Sequence, residues 1–168
     1  FSVTYVPVGR DGIVESDAIL AALTDETTVV SVMLANNEVA PIQPVAEIGA
    51  IAKEKGIPFH TDGVQAVGKV PFDVNEIKAD LVSLSAHKMY GPKGVGALYV
   101  RRRRPRLSLR PLIEGGGHQR GLRSGTLNVP GVVGFGRAAA ICQVEMDDEA
   151  AARRSAPRTT RTARGATR

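Results

Sequence analysis

The sequence predicts an α/β domain built on a mostly parallel sheet with helices on both faces. Three observations support this. Short β-branched runs alternate with longer stretches of helical periodicity. The chain has 168 residues, one domain's length, and 43% of them are hydrophobic, enough for a core. Eighteen glycines and ten prolines supply the many tight turns that strand–helix alternation requires.

The elements follow in order. SVTYVPV (2–8) is a strand candidate. SDAILAAL (16–23) begins with Ser16, an N-cap residue type, and continues with apolar residues at helical spacing. TTVVSVML (27–34) is a β-branched run long enough only for a strand. PVAEIGAIAKEKG (44–56) has Pro44 early, a stripe of Val45, Ile48, Ile51 and Ala52, and Gly56 as its stop, which predicts a helix. IPFHTD (57–62), DLVSLS (80–85) and VGALYV (95–100) read as further strands. VVGFGRAAAICQVEM (132–146) predicts a helix with a buried stripe of Val132, Phe135, Ala139, Cys142 and Met146. On that stripe Cys142 reads as a small buried hydrophobe rather than a nucleophile.

A net charge of +5 ordinarily raises the possibility of nucleic-acid binding. Here the charge is local. Residues 150–168 hold six arginines and no acid, and the rest of the chain sets 16 basic residues against 17 acidic ones. Nucleic acid is therefore not an expected partner. RRRRPR (101–106) reads as a solvated strand exit. The 150–168 segment offers nothing larger than Ala to bury, so it is expected to be disordered. A single cysteine excludes an intramolecular disulfide framework and fits a reducing compartment, with the cytoplasm as the expected location. There is no signal peptide and no apolar run near the ~18 residues of a membrane span, so no membrane partner is expected. The chain begins with Phe inside a strand-like run, which reads as the interior of something longer.

In parallel sheets ligands bind at the carboxyl ends of the strands. Polar and ionisable residues stand at three such ends: Asn37 after the 27–34 run, His60, Asp62 and Gln65 around the next, and Ser85, His87 and Lys88 after the third. Each has an ordinary explanation. Asn37 could be a turn residue and Ser85 a cap. His60 and Asp62 share a strand face and could form a hydrogen-bonded pair or two metal ligands, but two ligands make no site and no metal is expected. Together they suit pyridoxal phosphate. A lysine forms a Schiff base with its aldehyde, and a carboxylate keeps its pyridine nitrogen protonated. An amide can bond the ring oxygen, and hydroxyl and imidazole groups can hold the phosphate. The glycines at 91, 94 and 96 allow a tight turn beyond Lys88.

HTDGVQAVGKVPFDV, SLSAHKMYGPKGVGALYVRR, GGGHQRGLRSGTLNVPGVVGFG and VMLANNEVAPIQPVAEI together resemble the cysteine desulfurases of the class V aminotransferase family, of the iron–sulfur-assembly type. The resemblance spans residues 1–149 and implies part of the large cofactor-binding domain of a fold-type I enzyme, with 150–168 a disordered or frameshift-derived tail. It implies that Lys88 carries pyridoxal 5'-phosphate and takes the substrate's Cα proton. Asp62 pairs with the ring nitrogen, Gln65 contacts the ring oxygen, and Ser85 and His87 bind the phosphate. Asn37 lies beside the cofactor near the substrate carboxylate. Thr126 reaches the phosphate of a neighbouring subunit, so a homodimer is implied. His60 is assigned a structural role.

The implied reaction converts L-cysteine to L-alanine and leaves a persulfide on the enzyme, from which sulfur passes to a scaffold protein or another acceptor. Gly63, Ala86 and the NNEVAP turn depart from the family pattern without touching a reacting group. The family's first phosphate-binding turn, its stacking histidine, and the small domain with the substrate arginine and sulfur-accepting cysteine find no counterpart in this sequence. Cys142 matches that cysteine neither in context nor in position. The chain thus reads as a fragment lacking both ends, expected to be inactive alone. Alternatives are a selenocysteine lyase, another class V aminotransferase, or a non-catalytic cofactor-domain piece.

Overall fold

A computed structural model describes residues 1–39, 41–102 and 107–155. The element that best shows how the sequence dictates the fold is α2, Val45–Glu54. Val45, Ile48, Gly49 and Ala52 recur at helical spacing and are buried. Pro44 stands at the N-cap. At the other end Gly56 takes φ +69°, its N–H bonds the Lys53 carbonyl at 3.1 Å, and the Ile57 N–H bonds the Ala52 carbonyl at 2.9 Å. This pair of bonds closes the helix in a Schellman arrangement, which needs a left-handed residue where Gly costs least. α1, Ser16–Ala22, precedes it. Its N-cap is Glu15, not Ser16 as the sequence suggests; Ser16 Oγ instead donates to Glu47 Oε2 at 2.8 Å and ties α1 to α2.

Among the described residues the sheet has four strands, in the order β1 (Val30–Met33), β2 (Phe59–Asp62), β3 (Leu81–Ser85) and β4 (Gly96–Val100). β1, β2 and β3 pair in parallel, and β4 is antiparallel to β3. The link between β3 and β4 is too short for the crossover that a parallel pair requires. The sheet is thus mostly parallel, as predicted. The 2–8 segment, however, joins no ladder among the described residues, and Val3, Tyr5 and Val8 are exposed. Apolar alternation marks it as strand-forming, but a strand needs a neighbour to take its N–H and C=O groups.

In-register residues of a parallel sheet share a face. Val30, Phe59, Val82 and their neighbours face α1 and α2 and form the core with Val14, Ile19, Val45, Ile48 and Ala52. The opposite face carries Ser31, Met33, His60, Asp62, Ser83 and Leu98. Helical cover was expected on both faces. α1 and α2 provide it on the first, whereas α3, Val129–Ser155, packs chiefly against the turn after β3.

α3 also departs from its predicted stripe. Val132 and Ala139 are exposed, and the side that approaches the body carries Gly134, Ala138 and Cys142. A Cβ on Gly134 would lie 2.5 Å from Pro92 Cγ, and Gly91 would meet Ala138 Cβ at 3.1 Å. Small residues are selected there because the backbones approach closely, which hydrophobic periodicity does not register. The helix continues past residue 149 to Ser155, since Glu, Ala and Arg all favour helix. The rest of the 150–168 segment lies outside the described residues. So does most of the RRRRPR run, but Arg101 is not a solvated exit residue. It is half-buried, and its guanidinium donates to the Ala79 carbonyl at 2.8 Å, to Asn75 Oδ1 at 2.9 Å and to the Val74 carbonyl. Among the described residues no helix is long and apolar enough to cross a membrane.

Candidate active site

β1, β2 and β3 run in the same direction, so their carboxyl ends meet at one edge of the sheet. Asp62 is the last residue of β2 and Ser85 the last of β3. A 3₁₀ turn, Ala86–Met89, follows directly. Residues three apart eclipse in such a turn. Ala86 (0% exposed) and Met89 (3%) therefore anchor it together in the core, while His87 is exposed and Lys88 half-buried. Tyr90 then reverses the chain with φ 62°, and the Ala86 carbonyl accepts the Gly91 N–H at 2.9 Å. The local sequence thus turns His87 and Lys88 outward at a rigid strand end.

Asp62 Oδ1 accepts the Val64 N–H at 2.9 Å, which fixes the carboxylate and leaves its second oxygen as an acceptor. Gln65 follows in the same turn, where its Oε1 accepts from Lys69 Nζ at 3.2 Å and its amide N–H groups remain as donors. Ser85 Oγ and His87 Nδ1 are 2.8 Å apart. The cap role weighed for Ser85 is not used; it makes no side-chain cap bond. Asn37 is exposed in the bend beyond β1. The turn role weighed for it falls to Asn36, whose Oδ1 accepts the N–H groups of Glu38 and Val39 at 2.8 and 3.1 Å. Asn37, Asp62, Gln65, Ser85, His87 and Lys88 therefore share one sheet edge. Thr126 stands apart, exposed in the loop before α3, with its carbonyl accepting from Arg123 at 3.4 Å.

His60 does not pair with Asp62 through a hydrogen bond. Its Nδ1 lies 2.8 Å from Ser31 Oγ and its Nε2 2.9 Å from Ser83 Oγ, so one ring links three strands. Burial pushes its pKa below the usual histidine value, and the Asp62 charge opposes this only in part. Sequence reasoning missed Ser31 and Ser83. Their signal is a polar residue in the middle of an otherwise apolar strand. Among the described residues no group of three or more His, Cys, Asp or Glu is arranged to hold a metal ion.

The donor set fits pyridoxal phosphate. It comprises an amine at Lys88, a carboxylate at Asp62 with one oxygen uncommitted, amide donors at Gln65, and a hydroxyl–imidazole pair at Ser85 and His87. Comparison with known proteins gives the family. The cysteine desulfurase IscS of Anaeromyxobacter dehalogenans (strain 2CP-C) is 57% identical over 150 residues, covering 89% of this chain and 37% of that protein. The chain thus spans little more than a third of this curated relative. A solved NifS-like protein superposes with a TM-score of 0.83 at 47% identity, over 88% of this chain and 40% of its own. SspA, solved in complex with cysteine, gives a TM-score of 0.78 at 42% identity over 83% and 40%. The sequence pattern of the family described as Aminotransferase class-V matches residues 1–164. The chain belongs to the class-V aminotransferase family.

Proposed function

We propose that this chain is the cofactor-binding part of a cysteine desulfurase, which converts L-cysteine to L-alanine with pyridoxal 5'-phosphate and passes the sulfur, through an enzyme persulfide, toward iron–sulfur cluster or thio-cofactor assembly. The observation that carries the reading is the gathering of Asp62, Ser85, His87 and Lys88 at the carboxyl ends of two adjacent parallel strands. The names of the similar proteins and the cysteine bound to SspA support the substrate. When bound, the cofactor supplies an aldehyde that takes up amines and a protonated ring that withdraws electrons from the amino acid's α-carbon bonds. Lys88 anchors it through Nζ and afterwards accepts the substrate's Cα proton at the same atom. The Asp62 oxygen not held by Val64 accepts from the protonated ring nitrogen. Gln65 donates to the ring oxygen, and Ser85 and His87 donate to the phosphate. Asn37 orients the substrate beside the ring, and Thr126 serves the phosphate of a second subunit in a homodimer. A sulfur-acceptor scaffold protein is the expected partner of the intact enzyme.

A second reading, that the 168 residues alone do not turn over cysteine, rests on the thiol. Cys142 is the chain's one cysteine, and its Sγ donates to the Met89 carbonyl at 3.8 Å. Burial, with smaller contributions from Glu149 and Glu145, pushes its pKa up. A thiol kept protonated is a poor nucleophile and takes no sulfur. The test is to purify the chain with pyridoxal phosphate, record its visible absorption band, and assay alanine from cysteine. A band that Lys88→Ala abolishes, without alanine formation, is the expected result. A folded sample with no band rejects the cofactor assignment, and a band that survives Lys88→Ala rejects Lys88 as the anchor.

A further inference from the structure

The hydrogen bonds of His60 have a bearing on Asp62. A neutral imidazole has one donor and one acceptor nitrogen. Here each nitrogen meets a serine hydroxyl, Ser31 on β1 and Ser83 on β3, at 2.8 and 2.9 Å. Hydroxyls rotate to donate or accept, so both bonds form whichever nitrogen holds the proton. Asp62 lies two residues further along β2 on the same face. A histidine so placed would ordinarily charge and pair with the carboxylate. The two serines occupy both ring nitrogens and leave no N–H for Asp62, whose Oδ1 accepts instead from the Val64 N–H. Among the described residues Asp62 is the charged group that acts on the ring, and burial outweighs it.

We propose that Ser31 and Ser83 hold His60 as a spacer across β1, β2 and β3 with both ring nitrogens engaged, so that no His60 N–H reaches Asp62 and its carboxylate stays free to pair with a protonated heteroaromatic nitrogen. This rests on the cofactor reading above and assigns His60 a positioning role, exerted through Asp62. The same bridge sets the lateral spacing of the three strands whose ends carry Asn37, Asp62 and Ser85. An imidazolium at His60 would neutralise Asp62 from within the sheet and weaken its hold on a cationic ring.

The experiment is NMR of the cofactor-free chain, with ring-¹⁵N histidine and carboxyl-¹³C aspartate, near neutral pH. The chain has three histidines, so His60→Gln assigns the signal. Wild type should show one protonated and one bare His60 nitrogen. Ser31 is exposed, so Ser31→Ala should fold. It should shift the His60 ring signals, that of Nδ1 most, and move the Asp62 ¹³Cγ resonance, and Ser31→Thr, which keeps the hydroxyl, should restore both. Ser83→Ala should act in the same sense from the other nitrogen. Unmoved His60 signals overturn the bridge. Moved His60 signals beside an unmoved Asp62 carbon overturn the positioning role and leave only strand packing. The cofactor reading is judged separately by the visible band and its loss in Lys88→Ala; if that fails while Asp62 still responds to Ser31→Ala, the cofactor assignment falls and the bridge stands.

Discussion

Gly68→Ala tests how the turn carrying Lys88 is supported. Gly68 has φ +73°, and a Cβ there would lie 2.8 Å from Cys142 Sγ, 3.0 Å from Cys142 Cβ and 3.4 Å from Met89 Cβ. It sits where α3 leans on the 3₁₀ turn. Two costs add. The left-handed conformation costs a non-glycine residue about 1–2 kcal/mol, and forcing a methyl into a packed contact costs about 1–3 kcal/mol. A less flexible unfolded chain returns about 0.4–1 kcal/mol. The net loss is about 1–5 kcal/mol, set against the roughly 5–15 kcal/mol typical of a domain. The strain should move α3 more than the loop. Ala66, fully buried, accepts the N–H groups of Lys69 and Val70 at 2.9 and 3.0 Å and pins the loop, whereas α3 touches it through small residues. Urea unfolding should show a lower midpoint with an unchanged slope, and Cys142 should alkylate faster as its cover is lost. An unchanged midpoint together with an unchanged alkylation rate would refute this account of the packing.

Three further outcomes follow from single sites. Thr61 is fully buried and its Oγ1 has no partner among the described residues, so Thr61→Val should stabilise the fold by about 1–3 kcal/mol, the cost of an unsatisfied buried hydroxyl; a lower denaturation midpoint would count against it. Arg101→Ala removes three donors from the 74–79 loop and should cost about 1.5–3 kcal/mol, with earlier amide exchange at Ala79 and Asp80; a stability within error of wild type would show the clamp to be idle. Stability should also depend on pH at both ends. The folded chain resists protonating His60, so as pH falls below ~6.5 the unfolded chain binds the extra proton and stability declines through the lowered folded pKa. The folded chain holds the Cys142 proton, so above ~8.5 the unfolded thiol ionises first and stability declines again. His60→Gln should flatten the acid limb alone, and Cys142→Ala the alkaline limb alone, in urea midpoints measured across pH.

The difference between what was legible and what was not has a physical origin. The strand-end placement of Lys88, Asp62 and Ser85 could be read because a strand end is a local event: an apolar run stops, a polar residue follows, and a glycine-rich turn closes. On the buried side of α3 Cys142 could be read but Gly134 and Ala138 could not, because they are chosen by the closeness of Pro92 and Gly91, residues far away in sequence. The 2–8 run has strand-forming residues, but pairing is a property of two segments and no single window contains it. The clearest case is the serine pair. Ser31 in TTVVSVML and Ser83 in DLVSLS each interrupt an apolar strand, and either alone reads as a tolerated polar residue. Register changes that. Ser31 pairs with His60, and Ser83 pairs with Asp62. The half-buried Ser83 hydroxyl is costly unless it is bonded, and the sheet places it and the exposed Ser31 hydroxyl within reach of one imidazole. Two polar interruptions on one face of the two strands that border β2, flanking a histidine two residues before a strand-end carboxylate, are therefore better explained as one device than as two accidents, and once the parallel register is known the pattern can be read from sequence.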